Sequence, residues 1–375
     1  MSLNILVLEP YLGGSRKHFI NGISTHSSHK IIPITMPDRH LRWRMMGGGV
    51  TMAEYSLQHE EHVDVIFASS TTNLTAFLAL TNPRFANTPV ILYMHENQLT
   101  EPVPAGQKRE LTYSYINYLS ALVADQVVFS SKFHMDTFFQ ALPDFLRQFP
   151  DYKPKDHIDK IQKKSRVLHP GIFLKHFDPH PDTRTSNKLP VILWNQRWTE
   201  DKDPAKFFRM MNRLDDAGFV FELILAGDNR HDKPVEFEKA WSRYGRRIVH
   251  FGFVDDLSTY CKLLHKADMV VSTSTYEFYS VAIMEAIYAG CHPIVPKGLT
   301  YPELIPKTLH EPLLHAATMY NDEDHLFKIL KSILSGENRA LPKSTLQGIN
   351  RHLDWSVMIG KYDALFEEVA AMKKS

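Results

Sequence analysis

The feature that most constrains this chain is a repeated rhythm of short apolar runs, each followed by a turn and then by a stretch compatible with a helix. The runs are NILVLEP (4–10), KIIPIT (30–35), VDVIFAS (63–69), PVILYM (89–94), DQVVFS (125–130) and SRVLH (165–169). The rhythm pauses at PHPDTRTSNKLP (179–190), a polar, proline-containing stretch that reads as a linker. It then restarts with VILWNQ (191–196), FVFELILAG (219–227), RIVHFGF (247–253), DMVVSTS (268–274) and HPIVP (292–296). Strands that alternate with helices predict parallel sheets. Two such blocks predict an α/β chain of two Rossmann-like, doubly wound domains facing a cleft, spanning 1–178 and 187–353. Residues 354–375 follow as an amphipathic helix expected to cross back to the first domain. In such folds ligands bind at the carboxyl ends of the strands, so chemistry is sought there.

Composition excludes little but sets bounds. A length of 375 residues favours two domains over one. The opening residues MSLNILVLEP lack the basic region and long apolar core of a signal peptide. No run of about 18 apolar residues offers a membrane span, so a cytoplasmic protein is expected. Cys261 and Cys291 suggest reduced thiols rather than a disulfide framework. A net charge of +1 neither demands nor excludes a nucleic-acid partner.

The second block carries the densest chemistry. In YEFYSVAIMEAIYAG (276–290), Glu277 precedes and Glu285 lies within a helix expected over 279–289, with Gly290 as its C-cap. The free N–H groups of that helix start suit an anion, and the two carboxylates suit hydroxyl groups attached on either side of it. The plain alternative makes Glu277 a cap and Glu285 a surface charge. In NQRWTEDKDP (195–204), Arg197 and Lys202 lie between a strand end and a helix expected to begin near Pro204. A guanidinium and an ammonium together suit a diphosphate. The alternative is a loop salt bridge with Glu200 or Asp201. Gly227 and Gly252 mark two further strand-end turns. Asp201-Lys202-Asp203 has the D-x-D form of a metal motif, but its lysine fits the diphosphate role better, and no metal is expected.

These strings resemble the nucleotide-sugar domain of retaining glycosyltransferases with two Rossmann-like domains (the GT-B class, glycosyltransferase 4 type). The resemblance rests on R-x4-K at Arg197 and Lys202, the AGD turn at Gly227, FGF at Gly252 and Phe253, and E-x7-E at Glu277 and Glu285. It implies that Arg197 and Lys202 hold the donor diphosphate, Glu277 the sugar hydroxyls and Glu285 the ribose. The backbone of Phe278, Tyr279, Ser280 and Val281 is implied to meet the diphosphate and sugar. Phe278-Tyr279-Ser280 stands where Gly-Phe-Gly is common.

A narrower resemblance runs in blocks from about residue 4 to residue 356. The strings LEPYLGGSRKHF, RHLRWR, ASSTTNLTAFLAL, YMHENQLTEPV and LVADQVVFSSKFHMDTF are similar to the amino-terminal domain of the tRNA-queuosine mannosyltransferases. That resemblance implies transfer of a hexose, mannose from GDP-mannose, onto the cyclopentenediol of queuosine at the tRNA wobble position. The first domain then binds tRNA and the second the sugar nucleotide, which is a co-substrate; no other cofactor is implied. His95, after the strand PVILYM, is implied to lie near donor sugar and acceptor, as a fourth member of the catalytic group Arg197, Lys202 and Glu277. Gly13 and Gly14 resemble a glycine loop that approaches the donor diphosphate or the acceptor; their other role is a tight turn between strand and helix, and the two are compatible. For the anticodon stem-loop, Arg39, Arg42, Trp43 and Arg44 on an expected mobile basic loop are candidates, together with Lys108 and Arg109 opening a helix. Trp43 suits either stacking on a base or packing in the core. The segment 153–166 is basic but diluted by Asp. The residues leave open a glycosyltransferase with a lipid or saccharide acceptor, and a non-catalytic nucleotide- or tRNA-binding module. They do not fix the oligomeric state.

Overall fold

The structure is a computed structural model that describes residues 2–103, 106–151, 154, 156–178, 188–229 and 234–372. The expected linker lies outside the described residues except for its last three positions, and Lys153 and Lys155 of the basic segment 153–166 also lie outside them. The chain divides into two compact units. One runs to Ile172 and includes the closing segment from Trp355; the other is Phe173–Asp354.

The first unit is built on β1 (Asn4–Leu12), β2 (Lys30–Pro37), β3 (Val65–Ser69), β4 (Val90–Met94), β5 (Gln126–Phe129) and β6 (Ser165–Val167). Their order is β2-β1-β3-β4-β5-β6, with every pairing parallel. The second unit holds β7 (Val191–Trp194), β8 (Glu222–Leu225), β9 (Ile248–Phe251), β10 (Met269–Val271), β11 (His292–Pro296) and β12 (Met319–Tyr320). Their order is β12-β11-β10-β7-β8-β9, again parallel. Each apolar run of the sequence became one strand. The central strands β3, β4, β5, β7 and β10 are buried along their whole length. Helices cover both sheet faces, which explains continuous rather than alternating apolar runs. Only β12 had no run to announce it; two residues are too few to show a pattern.

The closing helix Trp355–Ala370 belongs to the first unit, where it packs beside the helix Gly14–His26. Trp355 is buried against Gly22 and Gly171, whose missing Cβ atoms leave room for its ring. Tyr362 donates to the His169 carbonyl at 2.9 Å, and the hydroxyls of Ser27 and Ser28 donate to Asp363 at 2.6 and 2.8 Å.

Three local expectations are corrected. The segment Leu41–Leu57, expected to begin as a mobile loop at RHLRWR and its glycines, is a helix throughout. Its glycines serve close packing. A Cβ at Gly48 would lie 2.8 Å from Pro10 Cβ, and one at Gly49 would lie 2.5 Å from the Asn73 carbonyl oxygen. The helix expected from Tyr279 begins at Val281. Lys202 donates to the Tyr276 carbonyl and the Glu277 carboxylate, both at 3.0 Å, which holds the preceding loop out of helical form. Lys108 and Arg109 precede a helix rather than opening it. Glu110 accepts from the Thr112 amide at 3.2 Å and so starts the helix at Leu111, where a carboxylate suits the positive helix end better than two cations would.

The close approach at Gly49 gives a test. Alanine at an exposed mid-helix glycine returns roughly 1 kcal/mol. At Gly49 overpacking costs about 1–3 kcal/mol, so Gly49→Ala should lower the denaturation midpoint. A raised midpoint would contradict the packing role.

Candidate functional site

In the second sheet the chain runs outward from β7 through β8 to β9, then returns to the other side of β7 to form β10. That reversal makes the carboxyl ends of β7 and β10 a topological switch point. Asn195, Gln196 and Arg197 leave β7 there, and the segment Ser272–Ser280 leaves β10.

Lys202 is the hub of this edge. Its side chain is 7% exposed, and its ammonium meets Asp201 at 2.9 Å and Glu277 at 3.0 Å. An ammonium is buried only with such partners. Burial raises the Asp201 carboxyl, but Lys202 and the Thr199 hydroxyl outweigh it and hold the group below its ordinary value. The short turn Glu200–Lys202 is tied to the β10 loop from both sides. Thr273 donates to the Lys202 carbonyl at 2.8 Å, and the Thr275 amide to the Asp201 carbonyl at 2.9 Å. Asp203 then caps the helix Pro204–Asp216 by accepting from the Lys206 amide at 2.9 Å. Arg197 differs from Lys202: it is 65% exposed, and its ion pair to Asp201, the one it makes among the described residues, is long at 3.9 Å. The loop salt bridge of the alternative reading therefore exists, mostly on Lys202, and leaves the guanidinium facing solvent.

Beneath the hub lies a buried polar layer that the sequence did not announce. Gln196 donates to Ser272 at 3.1 Å and Ser274 at 2.7 Å, and Ser272 shares a 2.7 Å hydrogen bond with Tyr301. Only the polar residues at strand ends in VILWNQ and DMVVSTS hinted at it.

Glu285 projects from the helix Val281–Ala289, whose start no side chain caps. It accepts from the Tyr260 hydroxyl at 2.9 Å. Burial pushes its carboxyl up to about 7, against that hydrogen bond. Burial and the neighbouring Glu285 raise Tyr260 well above its ordinary value. Asn195 donates to the Ala282 carbonyl at 2.8 Å and to the Tyr260 oxygen at 3.3 Å, tying the β7 end to this helix. Glu285 is thus no surface charge. Phe278 turns into the core at 4% exposure, which keeps its bulk off the loop surface. Tyr279 is half-buried and Ser280 buried, while Phe253 is 40% exposed. A Cβ at Gly227 would lie 1.8 Å from the Gln196 carbonyl oxygen, so packing alone requires glycine there; Gly252 has φ 109°.

In the first unit His95 follows β4 with its ring edge-on to Phe19 and Tyr93, at 4.7 and 4.6 Å between centroids. Burial, then Arg16 and His134, hold its pKa well below the ordinary value, so the ring is neutral. Its Nε2 is buried without a hydrogen-bond partner. Gly13 faces Asp38 too closely for a Cβ, and Gly14 has φ 50°. Arg39, Arg42 and Lys108 are exposed, Trp43 is 62% exposed, and Arg44 is half-buried. Arg109 braces its own loop by donating to the carbonyls of Gln98 and Glu101, both at 2.6 Å. Glu101 links part of this group. Burial and Glu96 raise its carboxyl, and Arg109 and Arg42 oppose them.

Two parallel six-stranded sheets with helices form the two-domain α/β fold of GT-B glycosyltransferases. Sucrose-phosphate synthase from Thermosynechococcus elongatus shares this fold, with a TM-score of 0.72 over 99% of this chain and 100% of that one at 15% identity. HepE from Anabaena, solved in complex with UDP-glucose, matches with a TM-score of 0.67 over 98% of this chain and 100% of its own at 15% identity. Residues 178–339 match the model of glycosyl transferases group 1. Residues 4–172 match the amino-terminal model of tRNA-queuosine alpha-mannosyltransferase. A Drosophila melanogaster protein named tRNA-queuosine alpha-mannosyltransferase is 32% identical over 312 residues, covering 81% of this chain and 82% of its own. The chain belongs to the tRNA-queuosine alpha-mannosyltransferase family.

Two outcomes follow from the second unit. Lys202→Ala strands two carboxylates and should cost about 3–5 kcal/mol of stability, against roughly zero for Arg197→Ala; comparative urea melts check this. Glu285 is protonated below about 7, and hydroxyl donors favour its ionised form. Nucleoside diphosphate affinity should therefore rise as pH climbs through 7, by at most about tenfold per unit on the acid side. Calorimetric titration of GDP should show this component in the wild type and lose it in Glu285→Gln. Parallel pH profiles would contradict it.

Proposed function

We propose that this protein is a retaining hexosyltransferase that moves mannose from GDP-mannose onto the cyclopentenediol of queuosine at the tRNA wobble position. The observation that carries the acceptor is the family match of residues 4–172, since the second unit's motifs bear only on the donor. Solved relatives of the fold include a UDP-glucose complex, which supports a sugar-nucleotide donor of some kind; guanine and mannose are our reading.

On this reading, departure of the nucleoside diphosphate builds negative charge at the β7–β10 edge. Arg197, Lys202 and the uncapped start of the helix Val281–Ala289 offset it. Losing one such donor costs about 3–4 kcal/mol of the barrier. Glu277, already fixed by Lys202, receives sugar hydroxyls, and Glu285 receives those of the ribose. The sugar passes through an oxocarbenium-like state. The departing phosphate takes the acceptor proton on the same face, which retains configuration without a carboxylate nucleophile. Neutral His95, with its free Nε2, orients the sugar or the acceptor hydroxyl. The two cations take the place of a metal, so chelator should leave turnover unchanged. Arg39, Arg42, Trp43, Arg44, Lys108 and Arg109 serve the anticodon stem-loop, with phosphate contacts supplying affinity. On this reading the protein works in the cytoplasm, with its tRNA substrate.

The test uses one tRNA prepared with and without queuosine, incubated with GDP-mannose. Sugar should enter only the queuosine form, and Arg197→Ala should cut the rate at least about tenfold. Equal incorporation into both forms, or into neither while a lipid or saccharide accepts sugar, would overturn the reading.

A further inference from the structure

The first sheet has a switch point of its own. β1 is followed outward by β2, and the chain then returns to place β3 on the other side of β1. The carboxyl ends of β1, β3 and β4 are therefore neighbours, and they carry Glu9, Ser69-Ser70-Thr71 and His95-Glu96.

A buried cation organises this edge. Arg16, on the helix Gly14–His26, is 7% exposed and donates to Thr71 at 3.0 Å, to Glu9 at 3.5 Å and to Glu96. Glu9 is wholly buried, and its Oε1 also accepts from the Tyr11 amide at 2.9 Å and from Thr71 at 3.0 Å. Burial opposes the charge of Arg16, but Glu96 and Glu9 outweigh it and hold its pKa above the ordinary value. Two carboxylates around one guanidinium leave an excess of one negative charge when all three are ionised. Glu96 is the member that reaches solvent, with 35% of its side chain exposed. Arg16 holds Oε1 of Glu96, and Oε2 has no bond among the described residues.

The edge is also incomplete. Among the described residues, Oε2 of Glu9, Oγ of Ser70 and Nε2 of His95 are buried without a hydrogen-bond partner, with Glu9 and Ser70 at 0% and 1% exposure. Buried polar atoms are ordinarily satisfied. These atoms lie on adjacent strand ends, and the accessible polar group at that edge is Glu96, a partly exposed carboxylate already oriented by a buried arginine.

We propose that Glu96 binds the vicinal diol of the acceptor, its carboxylate accepting hydrogen bonds from the hydroxyls, with Arg16 as the residue that positions it. The proposal rests on the queuosine-tRNA reading above and adds a specificity residue to it. A carboxylate accepts from two adjacent hydroxyls at once, which an unmodified guanine cannot supply. The surroundings of Glu96 fit this role, because Glu101, which feels Glu96, also feels Arg42 and Arg109 of the proposed tRNA face.

The experiment measures steady-state transfer from GDP-mannose to queuosine tRNA, GDP affinity by calorimetry, and inhibition by free queuosine nucleoside. Glu96→Gln keeps the side chain's size, and Glu96→Asp keeps its charge for Arg16 while drawing it back. Each variant should raise KM for queuosine tRNA about tenfold or more and weaken nucleoside inhibition to the same degree with GDP affinity unchanged, and Glu96→Asp, which keeps a charge for Arg16, should melt as the wild type does. Unchanged KM and inhibition in both folded variants overturn the assignment. Equal losses of GDP affinity, stability and tRNA affinity also overturn it, by showing a purely structural ion pair. Should Glu96→Gln fail to fold, Glu96→Asp alone decides. A wild-type enzyme that transfers no sugar to queuosine tRNA condemns the functional reading itself; an active wild type with indifferent variants condemns only Glu96.

Discussion

The ion pair between Lys202 and Glu277 holds the second unit's working edge in shape. An ammonium so buried must be neutralised where it sits, and Asp201 and Glu277 do so from opposite loops. The consequence is mechanical as well as electrostatic. The loop after β10 is drawn toward the loop after β7, the following helix begins at Val281, and the Ser280 side chain does not cap it. The polar layer of Gln196, Ser272, Ser274 and Tyr301 supports that arrangement from below. Arg197, outside the pair, keeps its charge facing solvent.

The first unit repeats the plan with different residues. Arg16 stands between Glu9 and Glu96 as Lys202 stands between Asp201 and Glu277, each at the switch point of its own sheet. In the first unit Glu9 is wholly enclosed and Glu96 lies on a strand-end loop, whereas in the second both Asp201 and Glu277 lie on strand-end loops and are similarly enclosed. A guanidinium binds its carboxylates through directed N–H groups, and an ammonium as a point charge. That difference suits Arg16 to fixing the orientation of a partner and Lys202 to sharing charge with a phosphate. Neutral His95 beside Arg16 adds a polar group without adding charge.

Much of this was legible in the chain. Eleven of twelve strands were visible as apolar runs, because sheets covered on both faces need uninterrupted apolar strands. The positions of Arg197, Lys202, Glu277 and Glu285 at one strand edge followed from the turn after each run. What escaped had physical reasons. RHLRWRMMGGG looked like a loop because glycine lowers helix propensity, yet tertiary packing against Pro10 and Asn73 decided the outcome. Arg16 and Glu9 escaped because a charged pair separated by seven residues shows its worth only when burial brings the groups together. Tyr260 and Asn195, which tie Glu285 in place, lie on elements separate from its own, and no spacing joins them. Sequence alone could not choose between a stacking and a core role for Trp43, because an indole suits both; its ring lies in solvent.

A crystal structure of the protein with GDP bound would show whether the β7–β10 edge is the donor site. The diphosphate should lie against Arg197, Lys202 and the first N–H groups of the helix Val281–Ala289, with the ribose hydroxyls on Glu285. A nucleotide bound elsewhere, or one at this edge with Glu285 still turned only to Tyr260 and its ribose in solvent, would contradict that placement.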